Sequence, residues 1–411
     1  MNIRFIGLGK LGLPLACCLA KSGNKVLGVD KNPYFIEKLN NQELPFYEPG
    51  LNEIFPHHNF IGFTDSYDRI VDEIDATIIL VNTQSEDGGY SSSLVENVLT
   101  EFSLHLKNSK KENHLIVLSS TVLPGTISKL IELIENISER KYGEGFGFAY
   151  VPDFVKLGSV IKDFKNPEFF MIGANNMKDI VAVQSIWYGF HDNDPPRKIL
   201  TLEEAEIAKV ALNAYIVNKI TFANFLGELC DGLDNVNVHN ITNTIGLDKR
   251  ISPYFFGYGT PYGGTCFPRD TTAFIKFAED SGKVAKNLIF AEEVNEMVYE
   301  GLLNKLKNYQ KIGILGVSFK PNSPVTIGSP SVSLITDLKS NGKELYCHDF
   351  IGKTFDNLQF FHDIEVNSIL DVQECINNSE VVVIMHPDNK YNNFDFTNVE
   401  VLDNWGIVNE K

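Results

Sequence analysis

A chain of 411 residues is too long for one simple hydrophobic core and indicates two or three domains. Hydrophobic residues make up 43% of it and charged residues 22%, which is ordinary for a soluble globular protein. The formal net charge of −17 disfavours nucleic acid or an anionic membrane as a partner, so any phosphate-bearing ligand must be bound locally, by helix N-termini and individual basic side chains.

The cysteines show no spacing typical of a metal site or of a disulfide framework. They lie at positions 17, 18, 230, 266, 347 and 375. The N-terminal sequence reads as a strand without an export signal, and no apolar run is long enough to span a bilayer. These observations predict a cytoplasmic protein with no bound metal and no membrane partner.

Residues 2–30 combine a short apolar strand, a glycine-rich turn, a helical stretch and a second strand that ends at Asp30. The glycines follow the order G-x-G-x-x-G at Gly7, Gly9 and Gly12. In such a unit the first glycine permits a tight turn, the second lets a pyrophosphate approach, and the third lets helix and strand pack closely. An acid at the end of the second strand binds ribose hydroxyls and favours NAD over NADP. The pattern predicts a Rossmann-like NAD site, which Leu11 would also line.

Three further apolar strands follow, at residues 76–84, 114–126 and 145–154, and each ends in polar or turn residues. Ligands of an open α/β sheet bind outside the carboxyl ends of its strands. The residues that would line this crevice are Thr83, Thr121 and Asp153. Taken singly, each of them is more often a helix cap or a turn residue.

A long helical pattern without proline covers residues 201–233, with Thr201 as its N-cap and acids in its first turn. We expect this helix to join two domains. Lys209 and Asn213 are spaced i, i+4 and therefore share one face. A solvated lysine is the commoner interpretation, but apolar residues flank this pair, and a desolvated lysine needs a partner or a function.

The stretch GTPYGGTCFPRD, residues 259–270, places one cysteine among residues suited to an irregular backbone. Two adjacent glycines before Cys266 predict a loop with positive φ or with backbone pressed against a neighbour. Arg269 and Asp270 follow within four residues, so a cation and a carboxylate accompany a candidate nucleophile. The alternative is that Cys266 is a small apolar filler, as most lone cysteines are.

A helical stretch at residues 271–308 leads to a second strand-and-glycine segment at 311–321. Strand-like runs follow at residues 344–349, 381–386 and 399–403. This half repeats the α/β alternation without the full glycine fingerprint. The predicted fold class is therefore α/β, with two Rossmann-like parallel-sheet domains joined by a long central helix and a helical middle region.

Several segments together resemble the UDP-glucose/GDP-mannose dehydrogenase family along nearly the whole chain. They are GLGKLGLPLA, FYEPGL (46–51), VNTQ (81–84), SSTVLPGT, VPDFVKLG (151–158), AEIAKVALNAY, LDKRI (247–251), YGGTCFPRD, GVSFKP and GSP (328–330). The resemblance implies oxidation of a nucleotide sugar's primary alcohol to the carboxylate with two NAD+. It also implies an NAD domain at residues 1–198, a central dimerisation region with the cysteine loop at 199–308, and a nucleotide-sugar domain at 309–411.

The resemblance further implies a covalent mechanism. Cys266 would capture the aldehyde as a thiohemiacetal, and a second hydride transfer would leave a thioester for water to cleave. Lys209 would stabilise the oxyanion. Asp270 and Thr121 would handle protons through a water, and Asp153 would act in thioester hydrolysis.

Binding roles follow from the same resemblance. Asn213 would orient the sugar, Arg250 would reach it or its nucleotide from the partner subunit of a homodimer, and Lys320 would meet the diphosphate. The remaining substrate contacts would be Phe154, Lys209, Tyr262 and Gly263. The cofactor contacts would include Asp30, Thr83 and Thr121.

The chain departs from the family pattern at four positions. Asp153 is one methylene shorter than the family's glutamate, and Leu157 stands where a second glutamate is usual. Arg269 replaces a lysine, and Ile327 takes the place of an arginine that helps to close the site around phosphates. These changes motivate an alternative, an impaired homologue that binds NAD or nucleotide sugar and regulates a partner. The retained Cys, Lys, Asn and Asp set favours an enzyme.

UDP-glucose is the predicted substrate, and the product would be a UDP-uronic acid for surface polysaccharide. This choice depends on the FYEPGL segment, on Phe154 and on the GGTCFPRD loop. GDP-mannose and UDP-N-acetylhexosamines stay open as alternatives. A two-electron dehydrogenase that stops at an aldehyde or ketone is a further alternative, which one NADH per sugar would support.

Overall fold

An eight-stranded β-sheet organises residues 1–210, the first of two units into which the chain divides; residues 211–411 form the second. The structure, a computed structural model, describes residues 1–65, 73–85, 89–352, 366–369 and 371–408. The strands of the first unit are β1 (Asn2–Ile6), β2 (Lys25–Val29), β3 (Phe60–Thr64), β4 (Ala76–Ile79), β5 (Leu115–Leu118), β6 (Gly147–Tyr150), β7 (Phe170–Gly173) and β8 (Arg197–Leu200). Its helices are α1 (Gly12–Lys21), α2 (Pro33–Asn40), α3 (Leu51–Ile54), α4 (Ser93–Asn108), α5 (Thr126–Ser138), α6 (Val160–Lys165), α7 (Met177–Ile186) and the start of α8 (Leu202–Cys230).

The strand order of this sheet is β3-β2-β1-β4-β5-β6-β7-β8. Strands β1 to β6 are parallel to one another, whereas β7 is antiparallel to β6 and β8 is parallel to β7. Chain order reverses between β1 and β4, which creates a crevice at the carboxyl ends of these strands. The predicted Rossmann-like fold is confirmed, and β7 and β8 are an addition that the sequence did not indicate.

Alternate residues of the central strands enter two hydrophobic clusters. Ile78 and Val117 belong to one cluster, and Ile79 and Leu118 belong to the other. Because successive side chains of a strand point to opposite faces, the sheet is covered on both sides. The strands end at Ile79, Leu118 and Tyr150, so the polar residues that follow lie at the carboxyl edge.

Helix α8 begins with the N-cap that the sequence predicted. Thr201 Oγ1 accepts a hydrogen bond from the N–H of Glu204 at 3.1 Å, and Glu204 Oε2 accepts one from the N–H of Thr201 at 2.9 Å. This reciprocal pair is a capping box, which satisfies two donors that the first helical turn leaves without partners. The helix then continues unbroken past Lys209 and Asn213.

The second unit contains a five-stranded parallel sheet with the order β11-β10-β9-β12-β13. Its strands are β9 (Lys311–Leu315), β10 (Glu344–His348), β11 (Asn367–Ser368), β12 (Val381–Ile384) and β13 (Glu400–Leu402). Its helices, after the end of α8, are α9 (Val238–Gly246), α10 (Phe267–Asp280), α11 (Lys286–Leu306), α12 (Pro330–Ser340) and α13 (Val372–Asn377), with a 3-10 turn at Asn389–Asn393. The second Rossmann-like sheet is thus confirmed.

The helical stretch expected at residues 271–308 is two helices, which corrects the prediction. Helix α10 starts earlier, at Phe267, and ends at Asp280. Gly282 then takes a φ of +69°, which a right-handed helix cannot include, and α11 begins at Lys286. Among the described residues, no helix is both long and apolar enough to cross a bilayer.

The turn after the first strand is built alike in the two units. The N–H of Gly7 donates to Val29 O at 2.8 Å, and the N–H of Gly316 donates to His348 O at 2.9 Å. The two glycines have φ values of +96° and +94°. In the second unit, however, the His386 ring lies against the turn, and a Cβ on Gly316 would stand 2.6 Å from it.

Candidate active site

The glycine-rich turn of the first unit has the shape that a dinucleotide needs. A Cβ on Gly7 would lie 2.1 Å from Leu80 O, and one on Gly12 would lie 1.8 Å from Gly7 O, so both positions exclude a side chain. A Cβ on Gly9 would have no neighbour within 4 Å, which leaves that backbone open to a ligand. Leu11 occupies the N-cap position of α1. The turn therefore fits a pyrophosphate placed over Gly9 at the N-terminus of α1.

Asp30 follows β2 directly and stabilises the same turn. Its Oδ2 accepts a hydrogen bond from the N–H of Leu8 at 2.7 Å, and its Oδ1 accepts one from the N–H of Asn32 at 2.8 Å. A carboxylate oxygen can accept more than one hydrogen bond, so both oxygens retain capacity for ribose hydroxyls. These residues fit NAD, which accepts a hydride when it is bound.

Thr83 and Thr121, predicted separately from two strand ends, meet in the structure. The hydroxyl of Thr83 donates to Thr121 O at 2.7 Å. Both residues line a cleft at the carboxyl edge of β4 and β5. The other lining residues are Tyr90, Ser91, Ser92, Val122, Leu123 and Thr126. The cleft lies where the crevice of an open α/β sheet is expected.

The sequence did not indicate a role for Glu206, which is buried on α8. Its Oε2 accepts a hydrogen bond from the N–H of Gly125 at 2.9 Å, and its Oε1 accepts one from the N–H of Ile127 at 2.8 Å. Glu206 therefore caps α5 from a distant helix and fixes the segment that carries Thr121. The one feature of the sequence that points to Glu206 is its position three residues before Lys209.

Lys209 is 8% exposed, which confirms that it is desolvated. Its ammonium group donates to the backbone oxygen of Asp153 and lies 4.5 Å from the centre of the Phe154 ring. The structure thus brings together three predicted residues of the first unit. A cation held by a carbonyl and an aromatic face can stabilise a negative charge that develops nearby.

The Asp153 side chain occupies a sheltered position. Its Oδ2 is buried and accepts no hydrogen bond from the described part of the chain. Burial raises the pKa of Asp153 to about 7, although the nearby charge of Lys209 opposes this effect. A carboxylate with a pKa near neutrality is a far better base than an ordinary aspartate. Leu157 lies four residues further on, where the family usually has a glutamate. Its side chain packs against a hydrophobic cluster.

In the second unit, Cys266 is exposed and stands immediately before the first turn of α10. Gly264 has a φ of +81°, and its N–H donates to Gly328 O at 2.7 Å. A Cβ on Gly263 would lie 2.3 Å from the same oxygen. The predicted loop is confirmed, and the two glycines serve close contact with the segment GSP at residues 328–330.

Tyr262 anchors the start of this loop to α11. Its N–H donates to Asn295 Oδ1 at 2.8 Å, and Asn295 Nδ2 donates back to Tyr262 O at 3.1 Å. Burial raises the pKa of the Tyr262 hydroxyl, and Glu292 adds to the effect. Tyr262 is therefore a neutral hydrogen-bonding group at any physiological pH.

Asn213 and Asp270 are also in direct contact. Asn213 Nδ2 donates to Asp270 Oδ2 at 2.6 Å, and Arg269 Nε lies 3.2 Å from Asp270 Oδ1. The Asp270 side chain is almost fully buried, and its N–H donates to Cys266 O at 2.8 Å. The second unit therefore holds an amide, a carboxylate and a guanidinium together at the first turn of the helix that Cys266 precedes.

Two further predicted substrate contacts lie on other segments of the second unit, and the Phe319 ring beside one of them, Lys320, lies against Gly264 of the cysteine loop. Arg250 has an 87% exposed side chain and forms an ion pair with Asp248 at 2.6 Å. The Lys320 ammonium lies 5.6 Å from the centre of the Phe319 ring, in the loop after β9. Ile327, one of the departures from the family pattern, is 60% exposed.

Family models match three successive parts of the chain. Residues 1–191 match the NAD binding domain of the UDP-glucose/GDP-mannose dehydrogenase family, residues 203–297 its central domain, and residues 313–408 its UDP binding domain. The chain is 32% identical to the UDP-glucose 6-dehydrogenase AglM of Haloferax volcanii over 378 residues, which cover 89% of this chain and 86% of that protein. It is 29% identical to a UDP-glucose 6-dehydrogenase of Rickettsia bellii over 92% of this chain and 88% of that protein.

A solved structure agrees with these matches. The UDP-glucose dehydrogenase of the hyperthermophilic archaeon Pyrobaculum islandicum superposes with a TM-score of 0.88 at 30% identity, over 98% of this chain and 94% of that one. Fold, glycine turn and family matches agree along the whole chain. The chain therefore belongs to the UDP-glucose/GDP-mannose dehydrogenase family, whose members are NAD-dependent nucleotide-sugar dehydrogenases.

Proposed function

We propose that this protein oxidises UDP-glucose to UDP-glucuronate with two NAD+, through covalent intermediates on Cys266. The exposed thiol at the start of α10, with Asn213 and Asp270 paired at the first turn of the same helix, is the observation that carries the proposal. The relatives named UDP-glucose 6-dehydrogenase support the choice of sugar.

In the first oxidation the sugar's primary alcohol loses a hydride and a proton. Asp270 is the proposed proton acceptor, through a water that Thr121 also binds. Lys209 stabilises the alkoxide, since its charge is desolvated by burial and by the Phe154 ring. Asn213 orients the sugar, while its bond to Asp270 fixes both side chains.

In the second oxidation the Cys266 thiolate adds to the aldehyde carbon and forms a thiohemiacetal. This adduct loses a second hydride and becomes a thioester. Water then attacks the thioester carbon, the C–S bond breaks, and Cys266 is regenerated with release of the carboxylate. Asp153 is the proposed base for this water, and its pKa of about 7 allows it to take up the proton.

We further propose that the protein is a homodimer. Tyr215, Phe222 and Leu229 are spaced seven residues apart on α8 and are each more than half exposed. This spacing places them in one stripe along the helix, and an exposed apolar stripe usually marks an interface. Arg250, on the surface of the same unit, would then reach the partner's site.

The remaining proposals concern the cellular compartment of the protein and the boundaries of its domains. Six free cysteines, four of them buried, support a reducing cytoplasm. The domain bounds 1–198, 199–308 and 309–411 stay a prediction. In this division, Tyr262 and Gly263 of the cysteine loop contact the sugar, and Lys320 contacts the diphosphate.

GDP-mannose is the alternative substrate. A GDP-mannose dehydrogenase of Pseudomonas aeruginosa matches at 26% identity with a TM-score of 0.57, over 100% of this chain. Both values are lower than those of the UDP-glucose dehydrogenase from Pyrobaculum islandicum, which favours the UDP sugar.

The test is to count NADH per sugar. Purified protein is mixed with NAD+ and, separately, with UDP-glucose, GDP-mannose and UDP-N-acetylhexosamines, and the NADH absorbance is followed to completion. We expect two NADH per UDP-glucose. One NADH per sugar would indicate a two-electron dehydrogenase, and turnover of another sugar would reassign the substrate. Binding without turnover by any sugar would favour the impaired homologue.

A further inference from the structure

Glu48 is a buried residue to which the proposed mechanism assigns no role. It lies in the FYEPGL segment and is 6% exposed. Its Oε2 accepts a hydrogen bond from the N–H of Gly158 at 3.2 Å, and its Oε1 accepts one from the N–H of Val160 at 3.0 Å. Burial of a carboxylate is costly unless each oxygen is well paired, so this arrangement is a specific structural link.

The backbone that Glu48 binds closes the loop at residues 151–159, which carries Asp153. The loop leaves β6 at Val151, whose N–H donates to a carbonyl of β5 at 2.9 Å. At its other end Gly158 has a φ of +87°, and α6 starts two residues later. The loop is therefore fixed at both ends, and Glu48 fixes the second one.

Apolar packing and Lys209 place the middle of this loop. Val155 and Leu157 pack against a hydrophobic cluster of the first unit. Lys209 donates to the backbone oxygen of Asp153. The buried position of Asp153 Oδ2 consequently depends on the path of the loop backbone.

The charged groups around the loop are few and have separate partners. Lys209 on α8 is the charge that acts on the Asp153 carboxyl. Lys156 on the loop is exposed, and its N–H donates to Asp163 Oδ2 of α6 at 3.0 Å. Glu48 binds backbone N–H groups at the end of the loop.

We propose that Glu48 is a positioning residue for Asp153: it fixes the end of loop 151–159 so that the Asp153 carboxyl stays beside Lys209 and screened from bulk water. The inference rests on the proposed function, in which Asp153 acts on the thioester. It gives the FYEPGL segment a part in the reaction, through the loop and not through contact with the sugar.

The test is Glu48→Gln, which keeps the shape of the side chain but turns one acceptor into a donor that faces a backbone N–H. We expect the loop to loosen and water to reach Asp153. The pKa of Asp153 then falls from about 7 toward its ordinary value, because desolvation is its largest cause. The protonated carboxyl absorbs in the infrared, and Asp153→Asn identifies its band by difference. This band disappears as pH rises, with a midpoint near 7 in the wild type and at least about one pH unit lower in Glu48→Gln.

Turnover is measured on the same proteins. In Glu48→Gln we expect kcat to fall roughly 10- to 100-fold, as displacement of a catalytic group by about 1 Å would cause, while KM for NAD+ stays unchanged. Glu48→Asp keeps both acceptors with a shorter reach, and should fall between the wild type and Glu48→Gln. It also serves as the test protein if Glu48→Gln does not fold.

Asp179→Asn is the matched control. Asp179 is also a buried carboxylate that accepts a hydrogen bond from a backbone N–H, that of Phe148 at 3.1 Å, but at the start of β6 and away from loop 151–159. It should leave the infrared midpoint unchanged. An unchanged midpoint in both Glu48 variants would overturn the inference. Full activity of Asp153→Asn with a shifted midpoint in Glu48→Gln would instead refute the catalytic role of Asp153 and leave the positioning role intact.

Discussion

Cys266 lies at a point where a negative charge is favoured. It directly precedes α10, and the N–H groups in the first turn of a helix have no partner within the helix. The macrodipole of the helix adds a partial positive charge at this end. A thiolate and the oxyanion of its adduct would both benefit. The exposure of the side chain also contradicts the alternative of an apolar filler.

Replacement of this thiol is the most direct test of the covalent mechanism. Cys266→Ser should lower turnover of UDP-glucose on the order of 10³-fold or more, since a serine hydroxyl is far less nucleophilic at neutral pH. NADH absorbance measures turnover, and calorimetry should show unchanged affinity for NAD+. Cys230→Ser, at the end of α8, is the control and should remain active. Full activity of Cys266→Ser would exclude the thiohemiacetal.

The backbone of the cysteine loop packs directly against the backbone of the segment before α12. Gly263 and Gly264 press against Gly328 O, while Tyr262 is bound to Asn295 of α11. The loop therefore obtains its position from two elements that come later in the chain. This explains how a stretch rich in glycine can hold Cys266, the proposed nucleophile, in one position: contacts with neighbouring segments replace the stiffness that its own residues lack.

A single methyl group should disturb this packing. Gly263→Ala places a Cβ 2.3 Å from Gly328 O, so the loop must shift, and we expect a loss of about 1–3 kcal/mol in stability and a clear fall in kcat. Chemical denaturation and NADH absorbance measure the two effects. Gly257→Ala is the control, since a Cβ there would meet nothing within 4 Å. Equal behaviour of the two variants would show that the contact is unimportant.

The sequence predicted elements well where a local rule applies. Apolar runs and the spacing of Gly7, Gly9 and Gly12 indicated the first sheet, and Thr201 marked the start of α8. The break between α10 and α11 was missed because Gly282, the residue that makes it, can also occur within a helix at moderate cost. Strand β8 was missed because most of its side chains are exposed, so its apolar signal is weak.

The site was predictable only in part, for a related reason. Residues close in sequence, such as Cys266 and Asp270, were found together. The links from Glu48 to Gly158, from Glu206 to Gly125 and from Gly263 to Gly328 join segments far apart in the chain. Such contacts depend on how the elements pack, and no local pattern of residue types predicts them.

The proposed homodimer would use a surface of the second unit. The stripe of Tyr215, Phe222 and Leu229 exposes apolar area that a partner subunit could cover. Phe222 is already stacked on Phe256, with ring centres 6.2 Å apart, so part of the stripe is fixed in place. A prepared apolar surface loses little side-chain entropy on association.

Sedimentation measures whether this stripe joins two chains. The wild type should sediment as a dimer of the 46.1 kDa chain, and Leu229→Asp should shift it toward the monomer because a buried unpaired carboxylate is costly at an interface. Tyr188→Ser removes a similarly exposed aromatic residue of the first unit and should leave the dimer intact. A monomeric wild type would exclude the homodimer.

The two glycine turns also indicate how many cofactor positions are available to the two hydride transfers. The turn of the first unit is open to a ligand at Gly9. The matching position of the second turn, two residues after Gly316, is Ser318, which is buried and whose hydroxyl donates to Asp349 Oδ2 at 2.8 Å. Of these two turns, the first has the glycine spacing and the open backbone position that a dinucleotide needs. In the proposed reaction, two hydride transfers would draw on this one cofactor position in succession. Spent NADH would leave and fresh NAD+ would enter while the half-oxidised sugar stays bound. Cofactor exchange would then be a step of the catalytic cycle, and a covalent bond to Cys266 would retain the half-oxidised sugar during that step.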